Sequence, residues 1–304
     1  PKFIELDLHR VHLDKEGNTL NYAELLKLAG PHIPREITEG KFLWKHTKAL
    51  AALEHLHHVV KKSEIDVLII VGDDQKELYK DNNMPSILMY RGETIRNVPL
   101  KSRPGPEWAK KASAKYYEDE HEKEYPVDSA LAMHLIHHLI DAEFDVSCAD
   151  SIQDGQGEGH AFGFVHNRLL QDIEIPVVPI FLNTYYPPNQ PTPKRCFKLG
   201  QQIRKAVESW PQDIKVGVVA SGGLSHFTVD EELDNSVMDA LRSKSYDDLC
   251  SIPLNKLNSG NSEIRNWICM AGACEGLNLQ LMEYYPAYRT PAGTGTGLCF
   301  AHWE

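Results

Sequence analysis

Three stretches of this chain combine glycines with side chains able to do chemistry: GDDQ at 72–75, GQGEGHAFGF at 155–164 and SGGLSH at 221–226. The last follows Val216, Val218 and Val219, whose β-branched side chains suit a buried strand. Gly222 and Gly223 then let the backbone turn sharply, which places His226 at the edge of a cleft. A histidine so placed serves as a base, a metal ligand or a hydrogen-bonded loop residue. All three stretches are read as strand ends or loops, where open α/β sheets bind ligands. The glycines of 155–164 lack the strand-turn-helix context of a dinucleotide fingerprint and are expected to shape a loop that sets His160 beside a small ligand. No GKS or GKT marks a phosphate loop. Ser225 adjoins His226, but GLSHF is not the GxSxG elbow, and adjacency does not aim a nucleophile at its base.

Apolar patterning supplies the elements that must carry these residues. IDVLIIV at 65–71 is a continuous apolar run expected as a central parallel strand covered on both faces. Residues 86–90, 144–149, 175–183 and 215–221 read as further strands, with the prolines of 175–183 placing it toward an edge or making it irregular. Helices are expected over 22–28, 42–60, 106–118, 127–141, 194–209, 229–243, 262–273 and 276–284, and GLCF at 297–300 as a late strand. Strands alternating with helices imply an α/β protein, a single domain over 1–304 with 1–40 as a peripheral excursion. TPAGTGTG at 290–297 is expected as a turn or closing loop.

Composition narrows the partners. A net charge of -11 supplies no basic field for collecting phosphates, which argues against nucleic acid. Six cysteines at 148, 196, 250, 269, 274 and 299 form neither a CxxC knuckle nor a dense disulfide framework, so they read as reduced thiols of a cytoplasmic protein. No run approaches the roughly 18 apolar residues of a membrane span, and no signal-peptide pattern is seen. His46, His55, His57 and His58 decorate one helix without the HExxH arrangement and read as structural or surface groups, and the 116–126 charge cluster as a solvated helix end or loop.

IPVVPIFLNTYYPP followed by KRCFKLGQQIRKAVESWPQDIKVGVVASGGLSH, with IIVGDDQ, GHAFGF and SEIRNWICMAGA in matching order, resembles the core of the class III extradiol ring-cleavage dioxygenases. That family includes the protocatechuate 4,5-dioxygenase beta subunit and the gallate and methylgallate dioxygenases. The resemblance runs from residue 65 to 300. It implies a three-layer fold, with a central mixed, largely parallel sheet and helices on both faces. It also implies one Fe(II) held by two histidines and a glutamate, with positions left for substrate oxygens and dioxygen.

Carried across by residue, Glu263 matches the iron carboxylate, His226 the proton-handling histidine, and His160 a second histidine near the ring. Read alone, Glu263 equally charges a helix start, and each histidine equally satisfies a loop. The family's first iron histidine belongs to a short Ser-His-x-Pro segment expected before Pro1, and His32 in PHIP is not assigned to the metal. The second falls at Gln75, a poorer donor than imidazole, which leaves Gln75 or Asp74 as metal donors, or Gln75 to position substrate. Asn183, Tyr185, Tyr186 and Arg195, with Lys194, are candidates to orient a substrate carboxylate or substituent, arginine by a bidentate grip. The resemblance thus implies Fe(II)-dependent extradiol cleavage of a protocatechuate-, gallate- or O-methylgallate-like acid with dioxygen, in a homodimer or with a small accessory subunit. The alternative is a non-catalytic protein of the same fold that binds a small aromatic or acts as a subunit.

Overall fold

The computed structural model describes residues 2–100 and 107–304; Pro1 and the first residue of the expected 106–118 helix lie outside them. The strands are β1 His12–Leu13, β2 Thr19–Leu20, β3 Val67–Asp73, β4 Ile87–Tyr90, β5 Thr94–Asn97, β6 Lys123–Pro126, β7 Ser147–Ala149, β8 Val177–Leu182, β9 Val216–Ala220, β10 His226–Thr228, β11 Leu279–Tyr288 and β12 Thr294–Trp303. The chain forms two compact units. One comprises Pro1–His55, Gly223–Arg265 and Gly276–Glu304, the other Leu56–Gly222 and Asn266–Glu275.

The second unit is built on a mixed five-stranded sheet in the order β7-β4-β8-β3-β9. VLIIVGD of β3 is buried at every position and pairs in parallel with both β8 and β9, as its unbroken apolar run requires. Phe162, Phe181, Ile70 and Leu68 pack in one cluster with Leu169, Val177 and Leu88, so the loop after β3 springs from a rigid base. Strand β8 corrects an expectation, since despite Pro179 it is an interior strand between β4 and β3. The antiparallel ladder with β4 ends at Ile180, so Pro179, which has no N–H to give, lies just beyond it. Thr192 caps the helix Pro193–Glu208 through Arg195 N–H, with proline in its first turn, and Asp128 caps Ser129–Asp141 through Leu131 N–H.

The first unit carries the antiparallel sheet β10-β12-β11. Here 276–284, expected as a helix, is instead a turn over 276–278 followed by the start of the ten-residue strand β11, and the late strand is the ten-residue β12 rather than GLCF alone. Helix-forming Leu, Gln, Met and Glu are outvoted by the long pairing from Leu279↔Trp303 to Tyr288↔Gly295. Of TPAGTGTG, residues 290–293 make the turn and the rest is strand. The 1–40 segment is anchored by buried Asp7, which receives Arg289 Nε at 2.6 Å, Arg289 Nη2 at 2.9 Å and Thr294 Oγ1 at 2.7 Å. Burial alone works to raise the Asp7 pKa, yet the hydrogen bonds from Arg289 and Thr294 together hold it below the usual carboxylate value. Among the described residues no helix is long and apolar enough to cross a membrane.

Candidate active site

In the second unit, the carboxyl end of β3 delivers Asp73, Asp74 and Gln75 in one turn. Asp74 spends both oxygens on backbone. Its Oδ1 accepts Glu77 N–H at 3.0 Å and Leu78 N–H at 2.9 Å, and its Oδ2 accepts Tyr79 N–H at 2.9 Å. Burial raises its pKa while these amides oppose the rise. Asp74, expected as a replacement iron donor, is therefore the residue that closes this turn. The acid placed near the loop histidine is Asp73, whose carboxylate lies within 4.8 Å of a His160 ring nitrogen.

Gln75 Nε2 donates to His160 Nε2 at 3.4 Å, while His160 Nδ1–H donates to Glu77 Oε2 at 2.6 Å. Glu77 Oε2 also accepts His160 N–H at 3.0 Å, and its Oε1 accepts Tyr117 O–H at 2.6 Å. Gly159, which precedes the helix His160–Phe164, has φ +87°, and a Cβ there would stand 2.7 Å from Glu77 Oε2. Glycine is thus required both by the left-handed backbone and by the approaching carboxylate. The end of β9 is fastened by Ser221, which donates from Oγ to Ala161 O at 2.7 Å and accepts Asn266 Nδ2–H on its carbonyl at 2.9 Å. Trp267 Nε1–H donates to Gly222 O at 3.0 Å.

The expected substrate-orienting residues divide. Asn183 closes its own turn, donating to Tyr186 O at 2.6 Å and to Asn189 Oδ1 at 2.7 Å. Tyr186 receives the Lys76 ammonium over its ring at 4.4 Å, next in chain to Gln75, and Tyr185 leans on Tyr186 at 6.0 Å between centroids. Arg195 stacks on Phe144 at 3.8 Å and donates to Glu143 O at 3.1 Å. Those contacts hold its guanidinium on the Glu143–Phe144 turn, and none of them is with Gln75 or His160.

In the first unit the central pair is His226 and Glu263, separated by 37 positions in sequence, with Nε2 and Oε1 at 2.9 Å and both side chains buried. His226 Nδ1–H donates to Leu224 O at 2.9 Å, and its backbone N–H is held by Asn261 Oδ1 at 2.8 Å. Both ring nitrogens therefore face oxygen acceptors. Glu263 Oε2 accepts Gly223 N–H at 3.1 Å, so this carboxylate serves the SGGLSH loop as well as the turn before helix Ile264–Ala273. Gly260 sits directly under the imidazole, where an added Cβ would meet His226 O at 2.1 Å and Cδ2 at 2.3 Å.

Ser225 is committed to structure. Its Oγ donates to Asp234 Oδ2 at 2.7 Å and its N–H to Asp234 Oδ1 at 2.8 Å, while Tyr284 O–H donates to the same Oδ2 at 2.6 Å. Burial lifts the Asp234 carboxyl to about 6 against the pull of these bonds. Glu77, Asp234 and Asn261 are not among the sequence candidates, and Asp73 lies in GDDQ without being singled out from it. Glu77 and Asp73 lie within two residues of Gln75 and Asp74, so adjacency was the only available signal.

Fe(II) sites draw on imidazole nitrogens and carboxylate oxygens. The donor types fit within each unit taken by itself: one holds the Asp73 carboxylate near the His160 imidazole, the other the Glu263 carboxylate at the His226 imidazole.

The family description "Catalytic LigB subunit of aromatic ring-opening dioxygenase" matches residues 45–298. A gallate dioxygenase of Pseudomonas putida is 39% identical over 102 residues, 32% of this chain and 28% of that protein. A 2,3-dihydroxyphenylpropionate/2,3-dihydroxicinnamic acid 1,2-dioxygenase of Comamonas testosteroni is 30% identical over 100 residues, 33% of this chain and 30% of that protein. The chain thus spans less than a third of the length of each of these curated relatives.

Proposed function

Because the chain belongs to the family of the catalytic LigB subunit of aromatic ring-opening dioxygenase, we propose that it opens a catechol-type aromatic acid beside its two hydroxyls, using dioxygen and Fe(II). The observation that carries this reading is the buried His226–Glu263 pair, a proton-exchanging imidazole fixed at 2.9 Å from a carboxylate of the type that holds ferrous iron. When bound, the iron supplies the affinity for the two ring oxygens and for dioxygen that makes cleavage accessible. Glu263 is the carboxylate that would hold it.

His226 is the general base and acid. Its Nδ1–H stays on Leu224 O, so proton exchange takes place at Nε2. Asn261 and Gly260 keep that nitrogen in place by holding the backbone and flooring the ring. Within the second unit, His160 Nε2 with Gln75 beside it forms a donor-acceptor pair able to hold an oxygen of a small ligand. The Lys76 ammonium lies over the Tyr186 ring at 4.4 Å and pairs with Asp81 at 2.7 Å, so an acidic substituent would take it only in competition with Asp81. Gln75 therefore acts in this reading through hydrogen bonding rather than as an iron ligand.

The test is oxygen uptake by the protein reconstituted anaerobically with ferrous ion, over a panel of protocatechuate, gallate and 3-O-methylgallate. One ring opened per dioxygen consumed is expected; an iron-loaded protein inert toward the panel refutes the activity. Gln75, an amide where the resemblance places a histidine, favours the second reading, a protein of this fold that binds the aromatic without opening it. Failure to retain iron after reconstitution, with aromatic binding intact, selects that alternative.

A further inference from the structure

We propose that Glu77 is the positioning residue for His160, fixing which ring nitrogen carries the proton and which faces outward. Four observations within one unit converge on it. Glu77 is the buried member of the pair, its side chain 9% exposed against 27% for His160, so the imidazole stands in front of the carboxylate. One oxygen of that carboxylate takes both the backbone N–H and Nδ1–H of the same histidine, at 3.0 and 2.6 Å, which fixes the main chain and the ring rotamer together. The other oxygen is held by Tyr117 O–H at 2.6 Å, so the acid cannot swing away. Gly159 clears the approach, a Cβ there landing 2.7 Å from Oε2.

A carboxylate accepting from Nδ1–H leaves Nε2 as the lone-pair nitrogen of the neutral ring, and Gln75 Nε2 donates to it at 3.4 Å. The series Tyr117–Glu77–His160–Gln75 thus has one sense of donation set from its buried end. A carboxylate behind an imidazole in this way fixes its tautomer and its orientation. Glu77 touches neither substrate nor the reacting atoms in this account; it acts through His160. The inference deepens the ring-opening reading and rests on it for its kinetic consequence alone.

The experiment uses the whole chain labelled with nitrogen-15 histidine, with His160 identified by the resonances lost in His160→Asn. Long-range proton–nitrogen spectra should show a proton on Nδ1 of His160 in the wild type and in Glu77→Gln, whose amide oxygen still accepts it, and its loss in Glu77→Ala. In the kinetic arm, Glu77→Ala should lower kcat about 10- to 100-fold with little change in KM, and Glu77→Gln should recover most of it. A residue that merely props up the loop would lower the melting temperature without moving the Nδ1 resonance. A bare Nδ1 in the wild type, or an unchanged Nδ1 proton in folded Glu77→Ala, overturns the proposal. If Glu77→Ala fails to fold, the wild-type and Glu77→Gln spectra decide, a bare Nδ1 in either being fatal. Absence of ring opening in the wild type refutes the ring-opening reading and leaves the spectra to judge Glu77.

Discussion

Substituting Gly260 by alanine places one methyl group against the imidazole on which the proposed chemistry turns. The new Cβ would stand 2.1 Å from His226 O and 2.3 Å from its Cδ2, where real contacts stay beyond 3.0 Å, so a retreat of about 0.9 Å is demanded. Neither side can absorb it freely: the His226 backbone N–H is tied to Asn261 and the ring to Leu224 O and Glu263. Displacing a proton-transfer group by about 1 Å costs on the order of 100-fold in rate, equivalent to about 2.7 kcal/mol of barrier. Forcing a methyl into packed surroundings costs about 1–3 kcal/mol of stability. Gly260→Ala should therefore remain folded at 20 °C by circular dichroism, melt earlier, and open its substrate about 100-fold more slowly, with iron content unchanged. Wild-type kcat in a variant shown to carry the alanine would refute the claim that the His226 position governs turnover.

Three further outcomes follow from the same contacts. Glu263→Ala should lower the iron retained after anaerobic reconstitution by about tenfold or more, measured by elemental analysis; one iron per chain in this variant would remove Glu263 from the ligand set. Asp234, raised from the ordinary 3.8 to about 6 by burial, favours the folded chain fully below pH 3.8 and loses that contribution as pH rises through 6. The loss is worth about 3 kcal/mol. Asp234→Asn, which cannot ionise, should lack that component in urea unfolding between pH 4 and 7.5, and parallel curves for the two proteins would contradict it. Ser225→Ala should destabilise by about 1–3 kcal/mol by stripping a donor from buried Asp234. It should still turn over, whereas loss of a serine nucleophile costs about a millionfold in kcat.

The parts of the fold legible in the sequence are those settled by local pattern. The helix Tyr22–Leu28 matches its expected bounds, and β3 needs no partner to be recognised, because seven consecutive buried positions leave no polar face. Where expectation failed, distant pairing decided. Leu279–Tyr288 contains good helix formers, but β12 claims it along nearly its whole length. The prolines of β8 pointed to an edge, yet the ladder with β4 simply stops short of Pro179.

The candidate site divides along the same line. Asp74 looked like a donor because only its side-chain type was visible; the three amides that occupy it belong to a turn with no distinctive pattern. Arg195 had the right chemistry for a carboxylate, and only the fold shows it stacked on Phe144. Glu77 meets His160 across 83 positions and Tyr117 across 40, separations that motif spacing cannot span. The pairing of His226 with Glu263 spans 37 positions and is closed by the SGGLSH loop itself, through Gly223 N–H.

The most direct measurement of the central claim is the mass of the product formed by the iron-loaded protein under oxygen-18 gas. Opening of the ring by a dioxygenase predicts one labelled atom in the new carboxylate, a second in the new carbonyl when it is reduced at once with borohydride, and no labelled product from Glu263→Ala. Because the new carbonyl oxygen exchanges with water, the decisive atom is the one in the new carboxylate: a product unlabelled there, or labelled product from a protein lacking the Glu263 carboxylate, would contradict the account.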